Sequence, residues 1–125
     1  MPRILLIDDD DAFRVMLRIT LVHFGHTVVE ARNGKEGLQL YRQGGVDLVL
    51  TDLVMPEKEG FEILMELRQY QPPVKVIVMT GGVRGEKAYY LQTAKLFGAA
   101  KVLAKPFSNE VLLAAIKELL PEPGG

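Results

Sequence analysis

The sequence predicts an α/β domain: a three-layer, doubly wound fold with a five-stranded parallel sheet in the order 2-1-3-4-5 and five helices. Three observations predict it. Apolar runs alternate five times with segments of helical period, the pattern of successive strand–helix units. The first, third and fourth runs are nearly continuous in Ile, Leu, Val and Met, as expected of strands covered by helices on both faces. The second, Thr27-Val28-Val29-Glu30, is short and flanked by polar groups, and the fifth begins at Lys101, so both suit sheet edges. Finally, Asp8, Asp9, Asp52, Thr80 and Lys105 each follow one of these runs. Residues just past the carboxyl ends of parallel strands converge on one rim, where such sheets bind ligands.

The strands are expected at about 3–7, 27–31, 47–51, 74–79 and 101–104. The first helix carries Phe13, Met16, Leu17, Leu21 and Phe24 on one stripe, with Arg14 and Arg18 off it and Gly25 as its stop. Asp10 or Asp11 is expected to cap this helix, since negative charge is favoured at a helix N-terminus. The second helix, 34–43, turns Leu38 and Tyr41 inward and ends at Gly44-Gly45. The third shows Phe61, Leu64 and Leu67 and stops before Pro72-Pro73; the fourth, 86–97, buries Ala88, Leu91 and Ala94. The last has Ser108 as N-cap, Phe107 and Leu112 as a hydrophobic staple, and Val111, Leu112, Ala115, Ile116 and Leu119 as its stripe. Residues 1–120 read as one domain and 121–125 as a tail or the start of a linker.

Composition narrows the function classes. With 125 residues, 48% hydrophobic and 25% charged, the chain can bury a real core. A net charge of −1 without a dense Lys/Arg cluster argues against a nucleic-acid-binding face. Cysteine is absent, which removes disulfides, thiolate metal sites and a cysteine nucleophile. The N-terminal apolar stretch is too short for a secretory signal, and no run approaches the ~18 apolar residues of a membrane span. A cytoplasmic protein with no membrane contact is expected.

Three carboxylates brought together cannot all stay ionised without a cation. With a hydroxyl and an ammonium beside them, the set calls for a hard divalent metal and an anionic oxygen ligand, hence phosphate chemistry. His23 and His26 flank Gly25 far from this rim and read as ordinary residues rather than metal ligands.

At this point the residues resemble the receiver domain of two-component response regulators. The carriers are Asp8-Asp9 in Ile-Leu-Leu-Ile-Asp-Asp-Asp, Asp52 in Asp-Leu-Val-Leu-Thr-Asp-Leu-Val-Met-Pro, Thr80 in Val-Ile-Val-Met-Thr-Gly-Gly, and Lys105-Pro106-Phe107. Met55-Pro56, Gly60 and Gly98-Ala99 also match, and the likeness runs over about residues 3–120. The resemblance implies a flavodoxin-like fold and a signalling phosphoacceptor rather than an enzyme. It implies that Asp52 accepts a phosphoryl group with Mg²⁺, which Asp9 and Asp52 bind directly, Asp8 through water, and Val54 through its carbonyl. Thr80 and Lys105 bond the phosphoryl oxygens, and the Lys105-Pro106 bond is cis. The implied partners are a histidine kinase or histidine phosphotransfer protein, and a downstream protein reading the face of the fourth helix, fifth strand and fifth helix.

Two departures from the family pattern concern the switch. Its strand-five aromatic corresponds to Val102, which is stiff at χ1 and has no ring to swing. The stretch after Thr80 is longer than usual and begins Gly81-Gly82-Val83-Arg84-Gly85, so signalling is expected to use this loop, with Tyr89 or Tyr90 as replacement aromatics; a longer surface loop is the plain alternative. Other functions weigh less. A flavin protein of the same topology needs a hydroxyl- and glycine-rich phosphate loop after strand one, where four aspartates would repel a phosphate lacking a metal. A receiver that binds without phosphorylation would not need the full acid, hydroxyl and lysine set. A receiver cut from a larger regulator or hybrid kinase stays open beside a stand-alone one.

Overall fold

The computed structural model describes residues 2–52, 59–70, 74–81, 95 and 98–120, with side chains described from residue 62 in the third helix. Along the chain run β1 (Arg3–Ile7), α1 (Asp11–His23), β2 (Thr27–Ala31), α2 (Gly34–Arg42), β3 (Leu48–Asp52), α3 (Glu59–Leu67), β4 (Val76–Thr80), β5 (Lys101–Ala104) and α4 (Asn109–Leu119). All five strands pair in parallel in the order β2-β1-β3-β4-β5, as expected from their composition. Four helices lie among the described residues. The helix expected at 86–97 falls outside them except for Lys95, which is helical.

Alternation along the strands builds two cores, because successive side chains point to opposite faces. Ile4 and Leu6 of β1, with Leu48, Leu50, Ile77, Met79 and Leu103, meet Leu17 and Leu21 of α1 and Leu112, Ala115 and Ile116 of α4. Leu5 and Ile7, with Val49, Val76 and Val78, meet Ile63, Leu64 and Leu67 of α3 on the other face, with Leu38 and Tyr41 of α2 packed against them. β1, β3 and β4 are buried almost throughout, while β2 is mostly half-exposed. Gly37 lets α2 approach the sheet closely, since a Cβ there would lie 2.8 Å from Ile7 Cγ1.

Capping follows the sequence. Asp10 caps α1, its side chain accepting from the Phe13 N–H, and Ser108 caps α4 by accepting from the Val111 N–H at 3.1 Å. Gly25 takes φ +92° just past the α1 C-cap, a backbone conformation that favours glycine.

The α1 stripe differs from expectation. Met16 and Phe24 are more than half exposed, whereas Arg14 is only 7% exposed. Hydrophobic period cannot register a guanidinium held by carboxylates and a carbonyl. Val111 is likewise 48% exposed, lying about 100° around α4 from the buried Leu112. Among the described residues, no helix is long and apolar enough to cross a membrane.

Candidate functional site

Parallel register brings the strand ends to one rim. Ile7 pairs with Thr51, Asp52 with Met79, and Thr80 with Ala104. Asp52 and Thr80 are the last residues of β3 and β4, so each strand runs one residue further than expected. Asp8 and Lys105 come immediately after β1 and β5.

Asp8 is fully buried, and its groups have partners. Its N–H donates to Ala31 O at 3.1 Å, and its carbonyl accepts from Arg14 Nη1 at 2.8 Å. Its Oδ1 accepts from the Asp10 N–H at 2.9 Å, and its Oδ2 from Lys105 Nζ at 3.1 Å. The same ammonium donates to Asp52 Oδ2 at 3.3 Å. Lys105 is anchored at its backbone too, where its N–H donates to Thr80 O at 2.8 Å; the Lys105-Pro106 bond is cis.

One carboxylate oxygen from each of Asp8, Asp9 and Asp52 lies within 4.8 Å of the others. Asp8 and Asp52 are buried and Asp9 is exposed, so the trio opens to solvent on one side. Among the described residues, three carboxylates gather beside one ammonium, which pairs with Asp8 and Asp52, so a net negative centre remains at the rim. Burial makes that repulsion costly and attraction for a cation strong. The donors are all oxygen, the set that hard divalent ions take. The site can therefore hold a metal ion.

Thr80 supplies the complementary feature. It is 1% exposed and follows Met79, the register partner of Asp52, yet among the described residues its Oγ1 has no hydrogen-bond partner. A buried hydroxyl left in that state is destabilising, and an oxygen acceptor arriving at the rim would relieve it.

Two residues beside the site were not expected from the sequence. Arg14 reaches Glu30 Oε1 at 3.1 Å and Asp11 Oδ1 at 2.7 Å while bonding the Asp8 carbonyl, and Glu30 Oε2 also pairs with Arg18 at 3.0 Å. Burial alone would lower the Arg14 pKa, but the bonds to Asp11 and Glu30 outweigh it and raise it. The i, i+3 spacing of Asp11 and Arg14 was the available signal. Phe13, expected as core, lies only half-buried, with its ring centroid 4.2 Å from Lys105 Nζ. Nothing local in the sequence pairs residues 13 and 105. Of the expected site residues, Val54 lies outside the described residues, as do Tyr89, Tyr90 and the glycine-rich loop beyond Gly81. Val102 is half-buried against the α3-side core.

Comparison with known proteins agrees with this architecture. The response regulator receiver domain family matches residues 4–117. Chemotaxis protein CheY of Bacillus subtilis is 33% identical over 119 residues, covering 94% of this chain and 97% of that protein. Sensor kinase CckA of Brucella abortus is 39% identical over 119 residues, of which this chain spans only 12% of the length; for transcriptional regulatory protein GlrR of Escherichia coli the span is 26%. A crystal structure of a response regulator receiver domain protein from Clostridium thermocellum superposes with a TM-score of 0.88 at 30% identity, covering 96% of this chain and 94% of that one. The chain belongs to the response regulator receiver domain family of two-component signalling. Receiver domains are signalling regulators, generally phosphorylated by histidine kinases and read by downstream targets.

Proposed function

We propose that this chain is a phosphoacceptor that takes a phosphoryl group from a histidine kinase or histidine phosphotransfer protein onto Asp52 and switches the binding of a downstream protein. The observation that carries the reading is the bridging of buried Asp8 and Asp52 by Lys105, beside Asp9, at the carboxyl rim of the sheet. Mg²⁺ fits this donor set, with Asp9 and Asp52 as direct ligands, Asp8 acting through water and the Val54 carbonyl as a further ligand; when bound it supplies charge neutralisation for the phosphoryl oxygens.

The residues divide the work. An Asp52 carboxylate oxygen attacks phosphorus, forming an O–P bond as the donor's N–P bond breaks. The electron pair of that bond returns to the imidazole, which takes a proton from solvent. Charge spreads over the equatorial oxygens, so the task is positioning and neutralisation. Lys105 turns its ammonium toward those oxygens, and the Thr80 hydroxyl donates to one of them. Drawing Thr80 to the phosphoryl group moves the chain that follows it. That motion replaces the aromatic swing for which Val102 has no ring, and it alters the partner face built from the fourth helix expected from the sequence, β5 and α4. Residues 1–120 form the receiver unit, 121–125 a tail or linker, and the setting is the cytoplasm.

Mass spectrometry after treatment with acetyl phosphate and Mg²⁺ tests the reading. One phosphate labile to hydroxylamine is expected on Asp52 and none in Asp52→Asn. A stable phosphate on Thr51 or Thr80 would overturn it. The similarity to a small part of sensor kinase CckA supports a second reading, a receiver within a larger regulator or hybrid kinase. The mass of the native gene product separates the two.

A further inference from the structure

We infer that Phe13 is a positioning residue for Lys105: its aromatic face holds the ammonium at the point where it meets both Asp8 and Asp52. This rests on the phosphoacceptor reading above. A lysine side chain is long and flexible, and ordering it costs rotamer entropy. Lys105 nevertheless stands with its Nζ 3.1 Å from Asp8 Oδ2, 3.3 Å from Asp52 Oδ2 and 4.2 Å from the Phe13 ring centroid. Two carboxylates pull the ammonium from one side. The ring closes another flank, attracting the cation through its quadrupole and keeping water from that side.

Phe13 is itself fixed from two directions. Its backbone N–H donates to Asp10 Oδ1 at 3.1 Å, so the α1 cap sets where the residue begins. Its ring meets Phe107 edge-to-face, with centroids 6.1 Å apart and planes at 81°. Phe107 stands two residues beyond Lys105, so the same short segment supplies both the cation and a wall for the ring that holds it. An aliphatic residue at position 13 would fill much the same core space without attracting a cation. The consequence is kinetic. Once a divalent ion joins the carboxylates it repels the ammonium, and Phe13 resists its withdrawal, keeping it ready for the phosphoryl oxygens.

The test compares the parent chain with Phe13→Leu and Phe13→Tyr. In NMR spectra, with Lys105→Arg used for assignment, the Lys105 ε-methylene protons should show an upfield ring-current shift in the parent and in Phe13→Tyr. The shift should vanish in Phe13→Leu. With acetyl phosphate and saturating Mg²⁺, Phe13→Leu should label Asp52 roughly three- to tenfold more slowly. Phe13→Tyr should stay near the parent rate, and Mg²⁺ affinity should be unchanged in both. Three results would overturn the inference: no ring-current shift in the parent, parent-like labelling of Phe13→Leu, or equal slowing of the two variants, which would indicate packing alone. If the parent took no phosphate on Asp52 while keeping the ring-current shift, the phosphoacceptor reading would be the part that failed, and a role for Phe13 in transfer would fall with it.

Discussion

The β1 end and the β4 end of this site are held in opposite ways. After β1, Asp8 is bonded through its N–H, its carbonyl and both carboxylate oxygens, to Ala31, Arg14, Asp10 and Lys105. At the end of β4, Thr80 lends its carbonyl to the Lys105 N–H, but its equally buried hydroxyl has no partner among the described residues. A buried hydrogen-bonding group without a partner costs about 1–3 kcal/mol. The acidic side is therefore organised before anything binds. An incoming oxygen acceptor has more to gain at Thr80 than at Asp8, which suits a site that must respond to a phosphoryl group.

The largest effect is expected at Asp9, the exposed member of the acidic trio. Asp9→Ala should lose measurable Mg²⁺ binding, because it removes one of the two carboxylates expected as direct ligands. Calorimetric titration measures this, and an unchanged affinity would move the metal elsewhere.

Next in size, Arg14→Ala removes the cation that ties Asp8, Asp11 and Glu30 together. It should lower stability by about 2–3 kcal/mol in urea titrations, less than for a fully buried ion pair because Asp11 and Glu30 keep access to water. A loss below about 0.5 kcal/mol, the range of an ordinary surface change, would show that the β1 end is not held by this network.

Thr80→Val probes the β4 end. Replacing an unpaired buried hydroxyl by a methyl should raise stability of the unligated protein by about 1 kcal/mol. The same variant should bind beryllofluoride, a phosphoryl mimic, more weakly in the presence of Mg²⁺. Destabilisation of the unligated variant would mean that the hydroxyl has a partner in solution.

The smallest expected effect lies at the opposite end of the sheet. Burial lowers the pKa of His26 from its ordinary 6.5, and its Nδ1 has no partner among the described residues. Below that value the unfolded chain takes up the proton first. The stabilising contribution is thus complete above about pH 6.5 and declines as the pH falls toward the lowered folded-state value. His26→Gln should flatten this part of the pH–stability curve relative to the parent. An identical slope between about pH 5 and pH 7.5 in urea titrations of the two proteins would refute it.

The sheet was legible because burial on both faces writes itself into composition. β1, β3 and β4 are apolar throughout, so their centrality and the strand order could be read directly. The convergence of Asp8, Asp9, Asp52 and Lys105 followed, since the topology places every strand's carboxyl end on one rim. Helix faces were read less well. Met16 and Phe24 obey the helical period of α1 yet stand exposed, and Arg14 violates it yet is buried. Periodicity reports the average demand of a core, not the demand of one carbonyl and two carboxylates for a guanidinium.

By itself, the sequence determined the alternation of elements, the strand order, the helix cap at Ser108, and which residues would meet at the rim. These depend on local propensity and on two short periods, 2 and about 3.6 residues. Only the tertiary structure decided that Arg14 closes the β1 end, that the Thr80 hydroxyl finds no partner among the described residues, and that Phe13 lies against Lys105 across more than ninety residues of chain. Those outcomes turn on distances of a few ångströms between groups mostly far apart in sequence, and beyond the i, i+3 spacing of Asp11 and Arg14 no local pattern encodes them.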